Sequence, residues 1–481
     1  MRKTAAQRQS ANLSQYRWVR HDFNWRYARR WMAGLPDDGG INIGYEAVDR
    51  HAGGARRDCA ALHVVDRHGA TIEISYGELR QRADRFANLL TSLGMRVGGP
   101  VHTLLGPCPE LFAAALGTMR RGDVYVPLSP SLDEAFVRGL LHRHTARVLL
   151  TTPRLYQERI AAHRALLPAL THVLLVGDGH PLAGTIALDE ALAAVPDLAF
   201  TVPATSPEQP AMVVLTRGTT GSPKPTLHHH GAVLAQHATA LFSLDLRPGD
   251  IYWCTADPGS IAGTAYGLVA PLSLGATVVL DTSGSTTAAR RYAILAEHGV
   301  TVCYTEPDVL RAMRAHSREA PWYELSALRH LAATGAPLTA DLVEWSADAL
   351  GAPAHDTWCQ AEAGAIAIGN YGGVDIVPGA LGLPEPGVDV AIVATGDDDR
   401  ADLRGGGVHP APTGSPGLLA IRSGLPSMFQ GYLDDASPPP RPGGWQVTDD
   451  VVECGDGGYY RFVRRAGHRM PAVAGRRRER R

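Results

Sequence analysis

The chain has 481 residues, 45% of them apolar and 20% charged, which allows a sizeable core and excludes wholesale disorder. At about 150 residues per domain, this length suggests roughly three structural units, or one large domain with subdivisions. The 46 basic and 48 acidic residues give a net charge of -2, so generic nucleic-acid or anionic-membrane binding has no basic field to start from.

Residues 1–40 are polar and aromatic, with Trp18, Trp25, Tyr27 and Trp31, and read as an extension packed on a body. Met1 to Arg20 carries basic residues but no apolar stretch, so it is not a secretory signal. No window approaches about 18 uncharged apolar residues, and no transmembrane helix is expected. Six scattered cysteines (Cys59, Cys108, Cys254, Cys303, Cys359 and Cys454) lack any CxxC spacing and predict reduced, buried thiols in a cytoplasmic protein. Lysine occurs at Lys3 and Lys224 alone, every other basic residue being arginine. A GC-rich genome explains most of that bias, but the lysine kept in mid-chain draws the eye.

From Ala60 onward, strand and helix patterns alternate. Residues 61–65 read as a strand, and Ser75 with Glu78 forms a capping box that opens a helix. That helix places Leu79, Ala83, Phe86, Leu90 and Leu93 at a 3.6-residue period and stops at Gly94. Strands are expected at Pro100–Leu104, Val148–Thr151 and His172–Val176, with a helix over Leu111–Arg121. The alternation argues for an α/β architecture with largely parallel sheets. A Pro/Gly-rich stretch, Ser437 to Gly444, is expected to separate the body from a final segment.

Residues 211–215 form an apolar strand that runs into Thr216-Arg217-Gly218-Thr219-Thr220-Gly221-Ser222-Pro223-Lys224. Glycines let a backbone turn and present its amides, threonines add hydroxyl donors, and the lysine supplies a point charge, as a polyphosphate requires. The loop is not a Walker A sequence, because Ser222-Pro223 separates Gly221 from the lysine and no Ser or Thr follows it. On these residues alone a phosphate cradle and a plain surface turn both remain open.

The loop resembles the phosphate-binding signature of the AMP-forming adenylating enzymes, and further blocks resemble the AMP-forming acetyl-CoA synthetases. These blocks are residues 43–51 and 251–259, Gly335-Ala336-Pro337-Leu338, His355-Asp356-Thr357-Trp358-Cys359-Gln360-Ala361-Glu362-Ala363-Gly364, residues 378–388 and residues 444–450. They follow the family's order over roughly residues 41–465.

The resemblance implies a large N-terminal domain at 41–463, built of two α/β subdomains plus a smaller β-barrel portion. It also implies the activation of acetate or another short carboxylic acid with ATP to acyl-AMP, then to acyl-CoA, with release of pyrophosphate and AMP. ATP, Mg2+ and coenzyme A would be the cofactors or co-substrates, and no nucleic-acid or membrane partner is implied. Thr216, Gly218, Thr219, Thr220, Gly221 and Lys224 would hold phosphates, and Glu362 would bind Mg2+. Gly335, Asp356, Thr357, Trp358 and Gln360 would flank the nucleotide. Asp450 would accept from the ribose hydroxyls, and Arg465 matches the family arginine that follows it. His228-His229-His230 raises the question of a metal site, but the family carries one or two histidines here, and no metal is expected at the triplet.

Departures from the family concentrate in this region. Arg217 stands for a Ser or Thr, Pro225 for a glycine, Ala336 for a Glu, Ala361 and Ala363 for threonines, and Asp449 for a glycine. Each lost neutral hydrogen bond is worth about 0.5–1.5 kcal/mol. The acyl pocket carries Ile261, Ala262, Thr334 and Cys359, and the bulky Trp that limits the family's pocket to acetate is lost. A deeper pocket that admits longer or branched acids is expected.

The family's small C-terminal domain and its second lysine have no counterpart: residues 464–481 read as a hinge remnant and an Arg-rich tail, as a frameshift or early stop produces. These losses leave an alternative, a non-catalytic nucleotide- or acyl-adenylate-binding homologue.

Overall fold

The computed structural model describes residues 1–177, 181–216, 222–396, 400–403, 407–435 and 439–466. The capping box forms as expected: Glu78 N donates to Ser75 Oγ at 3.2 Å and Ser75 N donates to Glu78 Oε2 at 2.8 Å. It starts helix Tyr76–Ser92, whose apolar stripe buries Leu79, Ala83, Phe86 and Leu90, and Gly94 follows with a φ of 65°. Helix Pro109–Arg121 begins two residues before the expected Leu111, because Pro109 fixes a helical φ at the first turn, where its missing N–H has no intrahelical partner to lose.

Two large sheets carry the fold. One has the spatial order Gly431–Tyr432, Pro225–His229, Pro210–Leu215, Val124–Leu128, Pro100–Leu104, Val148–Thr151, His172–Leu175 and Ile186–Ala187. Strand Pro225–His229 pairs antiparallel with both its neighbours, and the remaining pairs are parallel. The other runs Leu383–Pro384, Ile366–Gly369, Ala354–Cys359, His330–Ala333, Val302–Thr305, Ile251–Cys254, Thr277–Asp281, Ala60–Val65 and Thr71–Ser75. Its middle is parallel and both its ends are antiparallel. The buried strands read as nearly continuous apolar runs, as covered parallel sheets require.

The smaller β portion is, among the described residues, a four-stranded antiparallel sheet of Val390–Val393, Gly417–Arg422, Trp445–Cys454 and Tyr460–Arg465. The Pro/Gly-rich stretch therefore does not set off a final segment. The strand that follows it pairs with Gly417–Arg422, inside the same sheet. Arg464 and Arg465, expected in a hinge remnant, belong to the last strand, and the tail beyond Ala466 lies outside the described residues.

The first 40 residues lie along the body. Leu13, Ala28 and Met32 are buried, Tyr16 stacks on Tyr371 at 5.1 Å between ring centroids, and Phe23 meets Phe242 edge-on at 5.9 Å. The thiols differ from expectation. None of the six is in a disulfide, but Cys303 alone is buried, Cys59 is exposed in the turn before strand Ala60–Val65, and the others are half-buried. Among the described residues no helix is long and apolar enough to cross a membrane.

Candidate active site

Strand Ala354–Cys359 is the axis of the site. It lies parallel to His330–Ala333 and ends where open α/β sheets bind ligands, beyond the carboxyl ends of parallel strands. On its other side the antiparallel pairing to Ile366–Gly369 shifts register between Trp358 and Cys359, a bulge that re-aims the side chains at the strand's end.

Trp358 is buried, and its indole Nε1 donates to Asp450 Oδ2 at 2.8 Å; Gln360 Nε2 donates to the same oxygen at 3.3 Å. Asp450 and Arg465 face each other across paired strands, with Arg465 Nε 3.1 Å from Asp450 Oδ1. That contact lacks hydrogen-bond alignment, so Oδ1 is a buried acceptor with an ion-pair neighbour and no hydrogen bond among the described residues. The carboxylate is thus fixed through one oxygen while the other keeps its accepting capacity.

After Gln360 the chain turns tightly, with Ala363 N and Gly364 N both donating to Gln360 O at 3.1 Å. Gly364 has a φ of 69°, and a Cβ there would lie 2.1 Å from Ser427 O, so only glycine closes this turn. The turn presents Glu362, whose Oε1 accepts from the Tyr432 hydroxyl at 2.9 Å. The Tyr432 ring lies 5.0 Å from the Lys224 ammonium, in cation–π contact. Burial, and then the Glu362 charge, push the Tyr432 phenol well above its usual range, so it stays a donor.

Strands Pro210–Leu215 and Pro225–His229 form the stem of the phosphate-loop candidate. Thr216 N donates to Lys224 O and Lys224 N to Thr216 Oγ1, both at 2.9 Å, closing the neck with Lys224 exposed above it. Gly218, Thr219, Thr220 and Gly221, with Arg217, lie outside the described residues. Pro225 opens its strand at a position where the carbonyl alone is used, accepting from Leu433 N at 2.9 Å.

Two expected contacts turn inward instead. The Asp356 carboxyl is fully buried and accepts from Leu338 N at 3.3 Å; burial raises its pKa well above the carboxylate range. The Thr357 hydroxyl donates to Ala333 O at 2.9 Å and lies 3.0 Å from the Tyr304 hydroxyl. Any part these two positions play toward a nucleotide falls to their main chain. Gly335, just past strand His330–Ala333, has a φ of 91°. Ala361 and Ala363 are packed in apolar clusters, so the hydroxyls missing there leave no vacant polar position.

Of the acyl-pocket candidates, Thr334 and Cys359 meet at the same strand end. The Thr334 hydroxyl donates to Thr357 O at 3.0 Å and sits 3.5 Å from Cys359 Sγ. Cys359 packs on the cluster that holds Ile261 and Ala262, at the start of the π-helical segment Ala262–Val269.

The histidine triplet disperses along its strand: His228 Nδ1 donates to Ser427 O, His229 Nδ1 to Pro207 O, and Ile43 N donates to His230 Nδ1. Among the described residues no cluster of three metal-ligating side chains occurs. Tyr432 joins this site without any sequence motif to mark it, because its partners Glu362 and Lys224 come from distant segments.

The AMP-binding enzyme family model matches residues 49–433. An acetyl-coenzyme A synthetase of Bacillus subtilis is 34% identical over 458 residues, covering 94% of this chain and 77% of that protein. An acetyl-coenzyme A synthetase of Streptomyces avermitilis is 31% identical over 83% of this chain and 63% of its own length. Among solved structures, a Brucella canis acyl-CoA synthetase superposes with a TM-score of 0.82 at 28% identity, covering 94% of this chain and 80% of that one.

Proposed function

The chain belongs to the AMP-binding enzyme family, and on that premise we propose that it is an acetyl-CoA synthetase-like acid–CoA ligase. A carboxylate attacks the α-phosphate of ATP, giving acyl-AMP and pyrophosphate; the CoA thiol then attacks the acyl carbon, giving acyl-CoA and AMP. Carboxylates are poor electrophiles, and the adenylate supplies the leaving group. The first step is mainly positioning and charge neutralisation.

In this reading Lys224, Thr216 and the loop residues Gly218, Thr219, Thr220 and Gly221 hold the β- and γ-phosphates. Trp358, Gln360, Gly335 and the main chain at Asp356 and Thr357 flank the base. The observation that carries the reading is Asp450: its carboxylate is locked by Trp358 and Gln360 through Oδ2 and retains a buried accepting oxygen at Oδ1 beside Arg465. A ribose diol offers the donors such an oxygen lacks.

Glu362 fits a magnesium ion, because Mg2+ takes one or two carboxylates and keeps the rest of its shell for water and phosphate. When bound, the ion neutralises phosphate charge. Glu362 is half-exposed and already oriented by Tyr432, so it meets the ion without rearranging. Six cysteines with no disulfide among them fit a cytoplasmic setting.

The acyl pocket, with Cys359 where a Trp would fill the end, fits acids longer than acetate. The alternative of a non-catalytic binding homologue is not favoured: it would leave Lys224, Glu362, Asp450 and Arg465 without a reason to be retained together. ATP–pyrophosphate exchange with acetate, propionate and butyrate tests the proposal. Exchange is expected with at least one acid and should vanish in Lys224→Met; undiminished exchange in that variant, or ATP binding with no exchange for any short acid, sinks it.

A further inference from the structure

Tyr432 sits on a strap that joins the two halves of the phosphate site. Phe429 N donates to Glu362 O at 3.0 Å, Gln430 N to Leu227 O at 2.8 Å, and Leu433 N to Pro225 O at 2.9 Å. One short segment therefore binds both the turn that carries Glu362 and the strand that returns from Lys224.

Beyond Tyr432 the strap is fastened from outside the site. Asp434 Oδ2 accepts from Arg143 Nε at 3.0 Å, and Asp434 Oδ1 lies 3.3 Å from His144 Nε2. Arg143 ends helix Glu134–Arg143 and His144 caps it, so Asp434 meets the Arg143 guanidinium and the His144 ring where a helix dipole favours cationic side chains. Behind them, His144 Nδ1 lies 3.3 Å from Nε2 of His102, which is fully buried in strand Pro100–Leu104.

The His144–Asp434 pair is at ion-pair distance without hydrogen-bond alignment, and His102 Nδ1 and His144 Nε2 are both buried without a hydrogen bond among the described residues, so Arg143 carries the hydrogen bond of this contact.

We propose that the Arg143–Asp434–His144 contact is a positioning tether: it fixes Tyr432, and through it the Glu362 carboxylate and the resting place of Lys224. Arg143, His144 and Asp434 touch no nucleotide in this scheme and act through the strap. The proposal rests on the ligase reading for the meaning of Glu362 and Lys224, but the tether itself is measurable without turnover.

Two measurements on the full chain test it. In hydrogen exchange without nucleotide, Asp434→Ala should speed exchange at the Gln430 and Leu433 amides by about tenfold or more and leave Val213 and Val214 unchanged. Arg143→Ala should do the same. In MgATP titrations, Asp434→Ala should weaken binding about fivefold, and adding it to Tyr432→Phe should cost almost nothing further. Wild-type exchange rates at Gln430 and Leu433 in both variants, or additive losses in the double variant, overturn the tether. A wild-type chain that binds no MgATP overturns the ligase reading instead, and hydrogen exchange alone then decides the tether.

Discussion

The Tyr432 hydroxyl donates to Oε1 of Glu362 at 2.9 Å, across 70 residues of sequence. The same ring lies 5.0 Å from the Lys224 ammonium, so one side chain orients the acid and parks the base of the proposed phosphate site. Parking on a ring costs little to undo, since an exposed cation–π contact is worth about 0.5–1 kcal/mol. A phosphate oxygen therefore draws the lysine away without a large penalty.

Replacing Tyr432 separates these two duties. Tyr432→Phe keeps the ring and loses the hydroxyl, and a hydrogen bond to a charged group is worth about 1.5–3 kcal/mol. We expect the KM for MgATP in pyrophosphate exchange to rise about tenfold, with the KM for the acid unchanged. Tyr432→Leu should behave like Phe or slightly worse. Unaltered MgATP kinetics in Tyr432→Phe would exclude an orienting role.

Asp450 is expected to be less forgiving. In Asp450→Asn the amide nitrogen must face either the Trp358 and Gln360 donors or Arg465, and each choice sets N–H groups against each other. The substitution also removes the carboxylate that faces Arg465 in a partly buried ion pair. Nucleotide affinity should fall about a hundredfold, and the variant should distinguish ATP from 2′-deoxy-ATP poorly, whereas the wild type prefers ATP. Equal discrimination by the two proteins, measured by competition titration, would remove Asp450 from the ribose.

Cys359 is the proposed selectivity position most open to direct test. It sits at the strand end beside Thr334, where a bulge has already turned the chain. In the proposed acyl pocket Cys359→Trp would fill the end, and it should shift the kcat/KM ratio of acetate over butyrate by about tenfold or more toward acetate, near the limit of what one or two methylenes can discriminate. A ratio that stays put would place the acyl chain elsewhere.

The parts of this molecule legible in its sequence are those whose causes are local. Ser75 and Glu78 specify their own helix start, and the apolar run before Thr216 specifies a buried strand, because each needs only its neighbours. The block from Asp356 to Glu362 is legible as a candidate site because one strand and one turn carry it. Direction within that block is not legible: the sequence cannot say that Asp356 and Thr357 turn inward, since that depends on Leu338, Ala333 and Tyr304 on neighbouring elements. Tyr432 is hidden for the same reason, as its partners come from two distant segments. Lys3 makes the point again. The count of two lysines draws attention to Lys224, yet Lys3 Nζ lies 2.7 Å from His355 Nε2, behind the strand that carries Trp358.

That contact leads to a prediction about pH. His355 stacks on His330 with centroids 4.2 Å apart, donates through Nδ1 to Leu331 O, and faces the Lys3 ammonium with its other nitrogen; His330 Nε2 donates to Ser243 O. Burial first, and then the Lys3 charge, push His330 down to about 3 and His355 well below its usual value. In the unfolded chain both titrate near about 6.5, so below that pH the unfolded state binds protons that the native state refuses. Stability from this pair is thus fully present above about pH 6.5 and is lost as the pH falls toward the native values, by about 1.4 kcal/mol per pH unit for each ring. His330→Gln removes one titrating group and keeps an amide donor for Ser243 O. The variant should be less stable than wild type near neutral pH, and the gap should narrow by about 1.4 kcal/mol per unit between about pH 6 and pH 5 in urea unfolding. Buried Glu385 and Asp356, whose raised pKa values act with the opposite sign, are common to both proteins and cancel in the difference. A gap that stays constant with pH would mean that His330 is already protonated in the native fold.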